Sequence, residues 1–255
     1  MASPYHAESY AELLDGLRRE GDVEYLTYDD LAWGSDFDYK QGYPDERSRW
    51  TDLIRSATID PKKRYLLLQH DTDSGPAQAV AMGRLEQSYD ARSSIMTFAR
   101  WSKTMQASDV VDYPIDWAAL VDLQHLGFCV GYHCNALHVS GFDDLRVYEQ
   151  FDADVDALVA RGLRIDFFSP HGGKASASGA LNVSFDYPAH CSHRLRWVHN
   201  KHSPSFDGYF SDGGLAGQLK SGRPAPDLSA FVRAMIPGCR YRALIHPQYY
   251  RFGPQ

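Results

Sequence analysis

The stretch RYLLLQHDTDSGP, residues 64–76, combines a hydrophobic run with a cluster of ionisable side chains. Four bulky apolar residues, 65–68, predict a β-strand that is covered on both faces. His70, Asp71 and Asp73 follow at the end of this strand, and the sequence SGP then predicts the start of a helix. Two carboxylates and an imidazole at a buried strand end are costly unless a metal, a partner or a substrate satisfies them. The search for chemistry therefore starts at this strand end.

The composition of the chain excludes several classes of protein. With 255 residues and 44% apolar side chains, the chain suits one large domain, and we predict a single domain over residues 1–255. The net charge of −7 comes without a basic run, so we expect no nucleic-acid partner. The amino terminus lacks the apolar core of a secretory signal, and no window resembles a membrane span. We therefore expect a cytoplasmic protein with no membrane partner, and we leave its oligomeric state open.

Strand and helix patterns alternate along most of the chain. Predicted strands cover residues 65–68, 93–98, 128–132, 164–168, 208–210 and 241–245, and predicted helices cover residues 3–20, 76–89, 115–126, 145–161 and 228–235, with a further helix after Pro44. Residues 1–60 are expected to form a helical extension that packs on the body. Such alternation is typical of a parallel sheet with crossover helices. We favour a barrel over a doubly wound sheet because polar residues finish too many strands for a single crevice.

Five predicted strands end in groups that bind metals or move protons. In a parallel barrel the carboxyl ends of all strands lie on one face, so residues distant in sequence converge there. A single histidine is more often a hydrogen-bonded structural residue than a ligand, and a strand-end aspartate is often a helix cap. Recurrence at the same level of successive strands nevertheless favours a shared site. The residues are His70, Asp71, Asp73, His133, His171, Asp212 and His246.

A mixed set of aspartates and histidines suits one divalent metal ion of intermediate hardness. Zinc is the first choice, and iron, cobalt, nickel and manganese have overlapping ligand preferences. An ion of this kind lowers the pKa of a bound water to about 7 and polarises a carbonyl group. The pattern therefore favours a hydrolase.

The motifs QHDTD, GYHCNALH, SPHGG, SDGG and LIHP stand in this order at the predicted strand ends, over residues 64–250. The series resembles that of the polysaccharide deacetylase family, the NodB-homology or carbohydrate esterase family four group, in its branch with an HDxD first motif. The resemblance implies an α/β fold, a distorted (β/α)7 barrel of the NodB-homology type. It also implies the metal-dependent removal of acyl groups from amino sugars.

The same resemblance implies roles for individual residues. Asp71 matches the catalytic base, Asp73 the metal carboxylate and His133 the first histidine ligand. The SPHGG motif matches the third motif of the family, where a backbone amide helps to hold the oxyanion. His246 matches the histidine that protonates the leaving amine.

The chain departs from the family pattern in its second and third motifs. The family spaces the histidines of its second motif four residues apart, whereas His138 follows His133 by five, a rotation of about 140° on a regular helix. His171 stands where the family usually has an aromatic residue, so either His138 or His171 is expected to be the third metal ligand. Phe168 or Ser169 replaces an arginine that normally opens the third motif. The support of the catalytic base is therefore expected to differ.

Substrate contacts are assigned to five residues at or near the predicted rim: His70, Pro170, Gly172, Asp212 and Trp101. Trp101 is included because sugars stack on tryptophan rings, although core packing explains most tryptophans. We expect a small-molecule or carbohydrate substrate, and the leading hypothesis is a metal-dependent hydrolase that removes an N-acyl group from a sugar or sugar-like metabolite. The alternatives are a metal-dependent hydrolase of a non-sugar amide or phosphoester, and a catalytically silent barrel that binds carbohydrate.

Overall fold

The computed structural model of the chain describes residues 5–31, 60–102, 107–198 and 206–252. The strands in these ranges are β1 (Tyr5–His6), β2 (Val23–Leu26), β3 (Arg64–Asp71), β4 (Ser94–Thr97), β5 (Arg100–Ser102), β6 (Val110–Asp112), β7 (Cys129–Cys134), β8 (Phe167–Pro170), β9 (Arg196–Trp197), β10 (Gly208–Ser211), β11 (Arg240–Ile245) and β12 (Tyr250–Arg251). The α-helices are α1 (Ala7–Glu20), α2 (Pro76–Ser88), α3 (Trp117–His125), α4 (Ala136–Val139), α5 (Val147–Val159), α6 (Tyr187–His190), α7 (Leu215–Lys220) and α8 (Leu228–Arg233). The helix predicted after Pro44 lies outside the described residues.

One parallel sheet forms the centre of the molecule. Its strands follow the order β10-β11-β3-β4-β7-β8-β9, and each neighbouring pair is parallel. β2 also pairs with β3, along its first half up to Leu67, whereas β4 pairs with it from Gln69 onward. Helices alternate with these strands along the chain. The sheet is a half-barrel, and the predicted α/β fold, a distorted barrel of alternating strands and helices, is confirmed.

The central strand β3 is buried along its whole length, as predicted for a strand covered on both faces. Successive side chains of a strand point to opposite faces. Tyr65 and Leu67 therefore join an inner cluster with side chains of β4, β7 and β8. Leu66 and Leu68 join an outer cluster with side chains of α1 and β11. Residues 65–68 of β3 thus contribute alternately to the inner and the outer cluster.

A third cluster covers the outer face of β4, β7 and β8. Ile95, Val130 and Phe168 from these strands pack there against side chains of α3 and α5, including Leu123 and Phe151. Full burial of an apolar side chain of this size contributes about 1.5–3 kcal/mol. The cluster therefore holds in place the strands that carry the polar rim.

Several element boundaries fall close to the predicted ones. α1 ends at Glu20, and Gly21 follows with a φ of 68°, a left-handed conformation that favours glycine. α2 begins at the predicted Pro76, because proline lacks an N–H that the first turn would leave unpaired.

The strand predicted over residues 164–168 instead covers Phe167–Pro170, because its pairing with β7 continues to the register pair of Cys134 and Pro170. β5 and β6 form an antiparallel ribbon that no sequence pattern indicated.

The amino-terminal region packs on the outer side of the sheet. Tyr10, Leu14 and Leu17 of α1 belong to the outer cluster, and β1 pairs with β12. The rest of the predicted extension, residues 32–59, lies outside the described ranges, as do residues 1–4. Where the structure describes the chain, no helix is both long and apolar enough to cross a membrane.

Candidate active site

The carboxyl ends of four parallel strands meet at one rim of the half-barrel. β3 leads to Asp71 and Asp73, β7 carries His133, and the residues after β8 and β11 are His171 and His246. All five side chains line one cavity of about 420 Å³. Parallel strands present the same ends to one rim, which brings residues from four separate motifs together.

Asp73, His133 and His171 form the tightest group on this rim. Nε2 of His133 lies 3.1 Å from Oδ1 of Asp73 and 3.1 Å from Nδ1 of His171. That Nδ1 lies 3.2 Å from the same carboxylate oxygen. One ligand atom from each residue lies within 4.8 Å of the others, so the three side chains could hold one metal ion. A carboxylate and two imidazoles suit zinc and related divalent ions.

The charges within this group shift the pKa values of its members. Burial by itself raises the pKa of Asp73, but hydrogen bonds and charge from His133 and His171 outweigh it and hold that pKa well below its usual value. Burial likewise lowers the pKa of His133, yet the charge of Asp71 and the hydrogen bond to Asp73 raise it overall. Asp73 is therefore an ionised carboxylate, the form that binds a cation.

Contacts behind the two histidines fix their orientation. Nδ1 of His133 lies 2.8 Å from Oγ of Ser169, and its ring stacks on Phe98 with the centroids 5.1 Å apart. The ring of His171 meets Phe98 edge-on, with the centroids 5.1 Å apart, and its backbone carbonyl oxygen accepts a hydrogen bond of 3.1 Å from Nδ2 of Asn182. Metal-binding imidazoles are commonly oriented by outer partners of this kind.

His138 lies beside this group but does not join it. It belongs to helix α4, and its Nε2 donates to the carbonyl oxygen of Lys174 at 3.2 Å. A nitrogen that carries this proton has no lone pair for a metal. Burial and the nearby charge of His171 lower the pKa of His138. The structure thus brings His171, rather than His138, to Asp73 and His133.

His246 pairs with the buried Asp212 at the edge of the cavity. Nδ1 of His246 lies 2.5 Å from Oδ1 of Asp212, and the same carboxylate accepts the backbone N–H of His246 at 3.0 Å. Burial by itself lowers the pKa of His246, but the hydrogen bond and charge of Asp212 outweigh it and raise the pKa to about 9. Asp212 was predicted to contact substrate; it is instead fully buried behind His246.

Nε2 of His246 faces the metal-ligand group, 3.7 Å from Oδ2 of Asp73. Because Asp212 occupies the other ring nitrogen, the proton on Nε2 is the one that a substrate in the cavity can receive. His246 is therefore placed and protonated as a general acid requires.

Asp71 lies on the inner face of β3, next to the cavity. Its Oδ1 accepts a hydrogen bond of 2.7 Å from Nε2 of Gln69, and its Oδ2 lies 3.8 Å from Nε2 of His133. Neither residue at the position of the missing arginine supports Asp71: Phe168 packs in the third cluster, and Ser169 contacts His133.

Besides Asp212, two further predicted substrate contacts do not line the cavity. His70 alternates with Asp71 along β3, so its side chain points to the outer face. There it is fully buried, with Nε2 2.7 Å from Oε1 of Glu86. Trp101 packs edge-on against Tyr113, with the ring centroids 5.8 Å apart, and lies outside the set of residues that line the cavity. Both side chains belong to the supporting structure.

Pro170 and Gly172 do line the cavity, as does Gly173. The backbone N–H of His171 donates to the carbonyl oxygen of Cys134 at 2.8 Å and so continues the hydrogen bonding between β7 and β8. This N–H is therefore not available to a substrate. Any amide that holds an oxyanion in this segment therefore follows His171, at Gly172 or Gly173.

Sequence reasoning missed several residues on the inner side of the rim. Gln69 and Arg242 line the cavity, and Gln248 donates from Nε2 to Oδ2 of Asp73 at 3.2 Å. A signal for the first two was present, because Gln69 precedes Asp71 by two residues and Arg242 precedes His246 by four. On a strand, these spacings put side chains on the same face.

The solved structures to which the chain is similar have low sequence identity to it. Peptidoglycan deacetylase PdaC from Bacillus subtilis is 14% identical, with a TM-score of 0.44, covering 76% of this chain and 79% of the other. A mutant of PdaC gives 15% identity and a TM-score of 0.43 over the same shares. A mutant of BA3943, a CE4 family pseudoenzyme with restored enzymatic activity, gives 13% identity and a TM-score of 0.40, covering 74% of this chain and 58% of the other.

The chain is similar in structure to a peptidoglycan deacetylase. At these identities and TM-scores, the likeness carries no argument about activity. No family model and no curated protein matches the sequence. Any argument about function therefore rests on the residues of this chain and on their contacts.

Proposed function

We propose that the protein is a metal-dependent hydrolase that removes an N-acyl group of the acetyl type from a sugar or sugar-like substrate. The observation that carries this proposal is the group formed by Asp73, His133 and His171, whose ligand atoms lie within 4.8 Å of one another. A candidate base, Asp71, and a candidate acid, His246, line the same cavity. The motif series quoted above supports the choice of an N-acyl sugar.

The proposed metal ion is zinc, held by the Asp73 carboxylate and by the imidazoles of His133 and His171. Three protein ligands of this kind leave a coordination position open, which is typical of a catalytic zinc site. When bound, the ion supplies a water of lowered pKa and a Lewis acid for the substrate carbonyl. Iron, cobalt, nickel and manganese accept similar ligands, so the test below includes them.

The residues around this group have separate roles in the proposed reaction. Asp71 takes a proton from the attacking water as general base. The amides of Gly172 and Gly173 stabilise the developing charge on the carbonyl oxygen. His246 donates the proton on its Nε2 to the departing nitrogen, and Asp212 keeps that imidazole protonated. The products are a carboxylic acid and a free amine.

The experiment that tests this proposal is acetate release by purified protein loaded in turn with zinc and the other four ions. The substrates are N-acetylglucosamine, its tetramer and a non-sugar acetamide, for which acetate is measured, and 4-nitrophenyl phosphate, for which 4-nitrophenol is measured. We expect acetate from an N-acetyl sugar and its loss in Asp71→Asn. Asp156→Asn provides a matched control, because this exposed carboxylate contacts His193 and lies outside the cavity. Metal-loaded protein that releases no acetate from the sugars would refute the proposal.

A further inference from the structure

A chain of buried hydrogen bonds leads from β11 through β3 to Asp71. Nη2 of Arg242 donates to Oε1 of Gln69 at 2.6 Å, and Nε2 of Gln69 donates to Oδ1 of Asp71 at 2.7 Å. The exposed fractions are 3% for Arg242, 1% for Gln69 and 7% for Asp71. The three residues therefore interact where water screens charge weakly.

The donors around Gln69 fix the orientation of its amide. A guanidinium group can only donate, so the amide atom that faces Arg242 must be the oxygen. The Tyr28 hydroxyl donates to the same oxygen at 2.6 Å. The NH₂ group consequently faces Asp71. Because an NH₂ group only donates, its partner there must be a carboxylate oxygen that accepts.

This orientation determines which oxygen of Asp71 is available for chemistry. Oδ1 is occupied by Gln69, so Oδ2 remains on the side of the metal-ligand group, 3.8 Å from Nε2 of His133. The guanidinium is itself packed against Tyr209, with its central carbon 5.5 Å from the ring centroid. Buried hydrogen-bond partners such as Gln69 hold a reacting side chain in place.

We propose that Arg242 and Gln69 are positioning residues for Asp71: Arg242 fixes the Gln69 amide, and that amide holds the base with Oδ2 toward the attacking water. The inference rests on the proposed function, in which Asp71 is the base. It assigns a positioning role to two cavity-lining residues, which would act on the reaction through Asp71.

The test uses Gln69→Glu, Arg242→Met and Arg242→Lys in the zinc-loaded full chain. Gln69→Glu keeps an acceptor for Arg242 and Tyr28 but removes the N–H donor to Asp71, at nearly the same size. Arg242→Met removes the donor, and Arg242→Lys keeps one. The matched control is Arg240→Met, on the same strand, where the arginine pairs with Asp207 near the surface. The measurements are kcat and KM for the N-acetylglucosamine tetramer, zinc affinity and melting temperature.

We expect kcat to fall about 10- to 100-fold in Gln69→Glu and Arg242→Met, as for other outer partners of an active site. KM and zinc affinity should stay within about twofold, because ground-state binding does not depend on the orientation of Asp71. Arg242→Lys should recover part of the lost kcat, and Arg240→Met should match the wild type.

An unchanged kcat in Gln69→Glu and Arg242→Met would overturn the inference, while a severe loss in Asp71→Asn would leave the proposed function standing. A kcat that falls only in step with zinc affinity or with melting temperature would also overturn it, because the two residues would then be structural. Full activity in Asp71→Asn would refute the assignment of the base and the positioning role together.

Discussion

Asp73 has an unusual backbone conformation, with a φ of 33°. Non-glycine residues in this region are strained by about 1–3 kcal/mol, although aspartate tolerates it better than most. Contacts with Gln248 hold the turn: its Nε2 bonds Oδ2 of Asp73, and a Cβ added at Gly75 would lie only 2.7 Å from its backbone nitrogen. The strained turn thus directs Oδ1 of Asp73 toward the two histidines.

The first residue-scale prediction separates the two candidates for the third metal ligand. His171→Gln should weaken zinc binding by more than the roughly 10- to 100-fold that loss of an outer partner costs, because it removes a direct ligand. His138→Gln should keep nearly wild-type affinity, since its Nε2 is bonded to the carbonyl of Lys174. Calorimetric titration with zinc measures both. A larger loss in His138→Gln would reverse the assignment.

The second residue-scale prediction concerns the pH dependence of activity. A general acid must be protonated, and the raised pKa of His246, about 9, keeps it so up to mildly alkaline pH. Activity should therefore fall as pH rises through this pKa. Asp212→Asn removes the charge that raises it, so the alkaline limb of kcat/KM should move to lower pH. An alkaline limb in the same place as in the wild type would show that another group controls it.

At the scale of elements, alternate side chains of β3 face the cavity on one side of the sheet and the packed helices on the other. Gln69 and Asp71 face the inner side and the cavity. His70 faces the outer side, where Glu86 of α2 accepts hydrogen bonds from Tyr10 of α1 at 2.5 Å and from Ser93 before β4 at 2.7 Å. The same strand end therefore carries the proposed catalytic base on one face and a buried polar junction between helices on the other.

An element-scale prediction follows for Glu86. Glu86→Ala should lower the free energy of unfolding by about 3 kcal/mol or more, because it leaves the buried partners His70, Tyr10 and Ser93 without their acceptor. The kcat of the folded protein should stay unchanged, since Glu86 lies on the outer side of the sheet. Urea denaturation and acetate release measure the two effects.

The control for Glu86→Ala is Glu149→Ala, at an exposed position in the first turn of α5, which should change stability by less than about 0.5 kcal/mol. A loss of kcat in folded Glu86→Ala, at normal zinc affinity, would contradict the separation of the two faces.

At the scale of the whole molecule, the three candidate ligands come from the ends of three strands. Asp73 follows β3, His133 lies on β7 and His171 follows β8, and the intervening β4 pairs with both β3 and β7. A bound ion would therefore link segments that are up to 98 residues apart in sequence, from Asp73 to His171. Folding and metal binding should be thermodynamically coupled.

The whole-molecule prediction is a rise in melting temperature when zinc is added. At a free zinc concentration of 100 times Kd, binding stabilises the folded state by about 2.7 kcal/mol, which corresponds to roughly 5–10 °C for a chain of this size. A chelator should reverse the shift, and Asp73→Asn should abolish most of it. An equal shift in Asp73→Asn would show that zinc binds elsewhere.

Sequence patterns were sufficient to predict the main strands and helices of the molecule. The apolar run of residues 65–68 predicts a buried strand because a strand covered on both faces needs bulky apolar side chains at successive positions. Gly21 and Pro76 mark helix boundaries through backbone chemistry that acts locally. The motifs at strand ends predicted one rim for Asp71, Asp73, His133 and His246, because parallel strands share their carboxyl ends.

Contacts between separate strands and helices decided what local patterns left open. The change from strand to helix between His133 and His138 directs His138 to the carbonyl oxygen of Lys174, whereas the pairing of β7 with β8 brings His171 beside Asp73. The alternation of β3 turns His70 away from its neighbour Asp71. Asp212 behind His246 and Arg242 behind Gln69 are pairs from different strands. The sequence by itself determined where most strands and helices lie, since that depends largely on neighbours in the chain, whereas pairing with β7 set the end of β8. Tertiary structure alone decided which side chains touch, because those distances depend on how strands and helices pack.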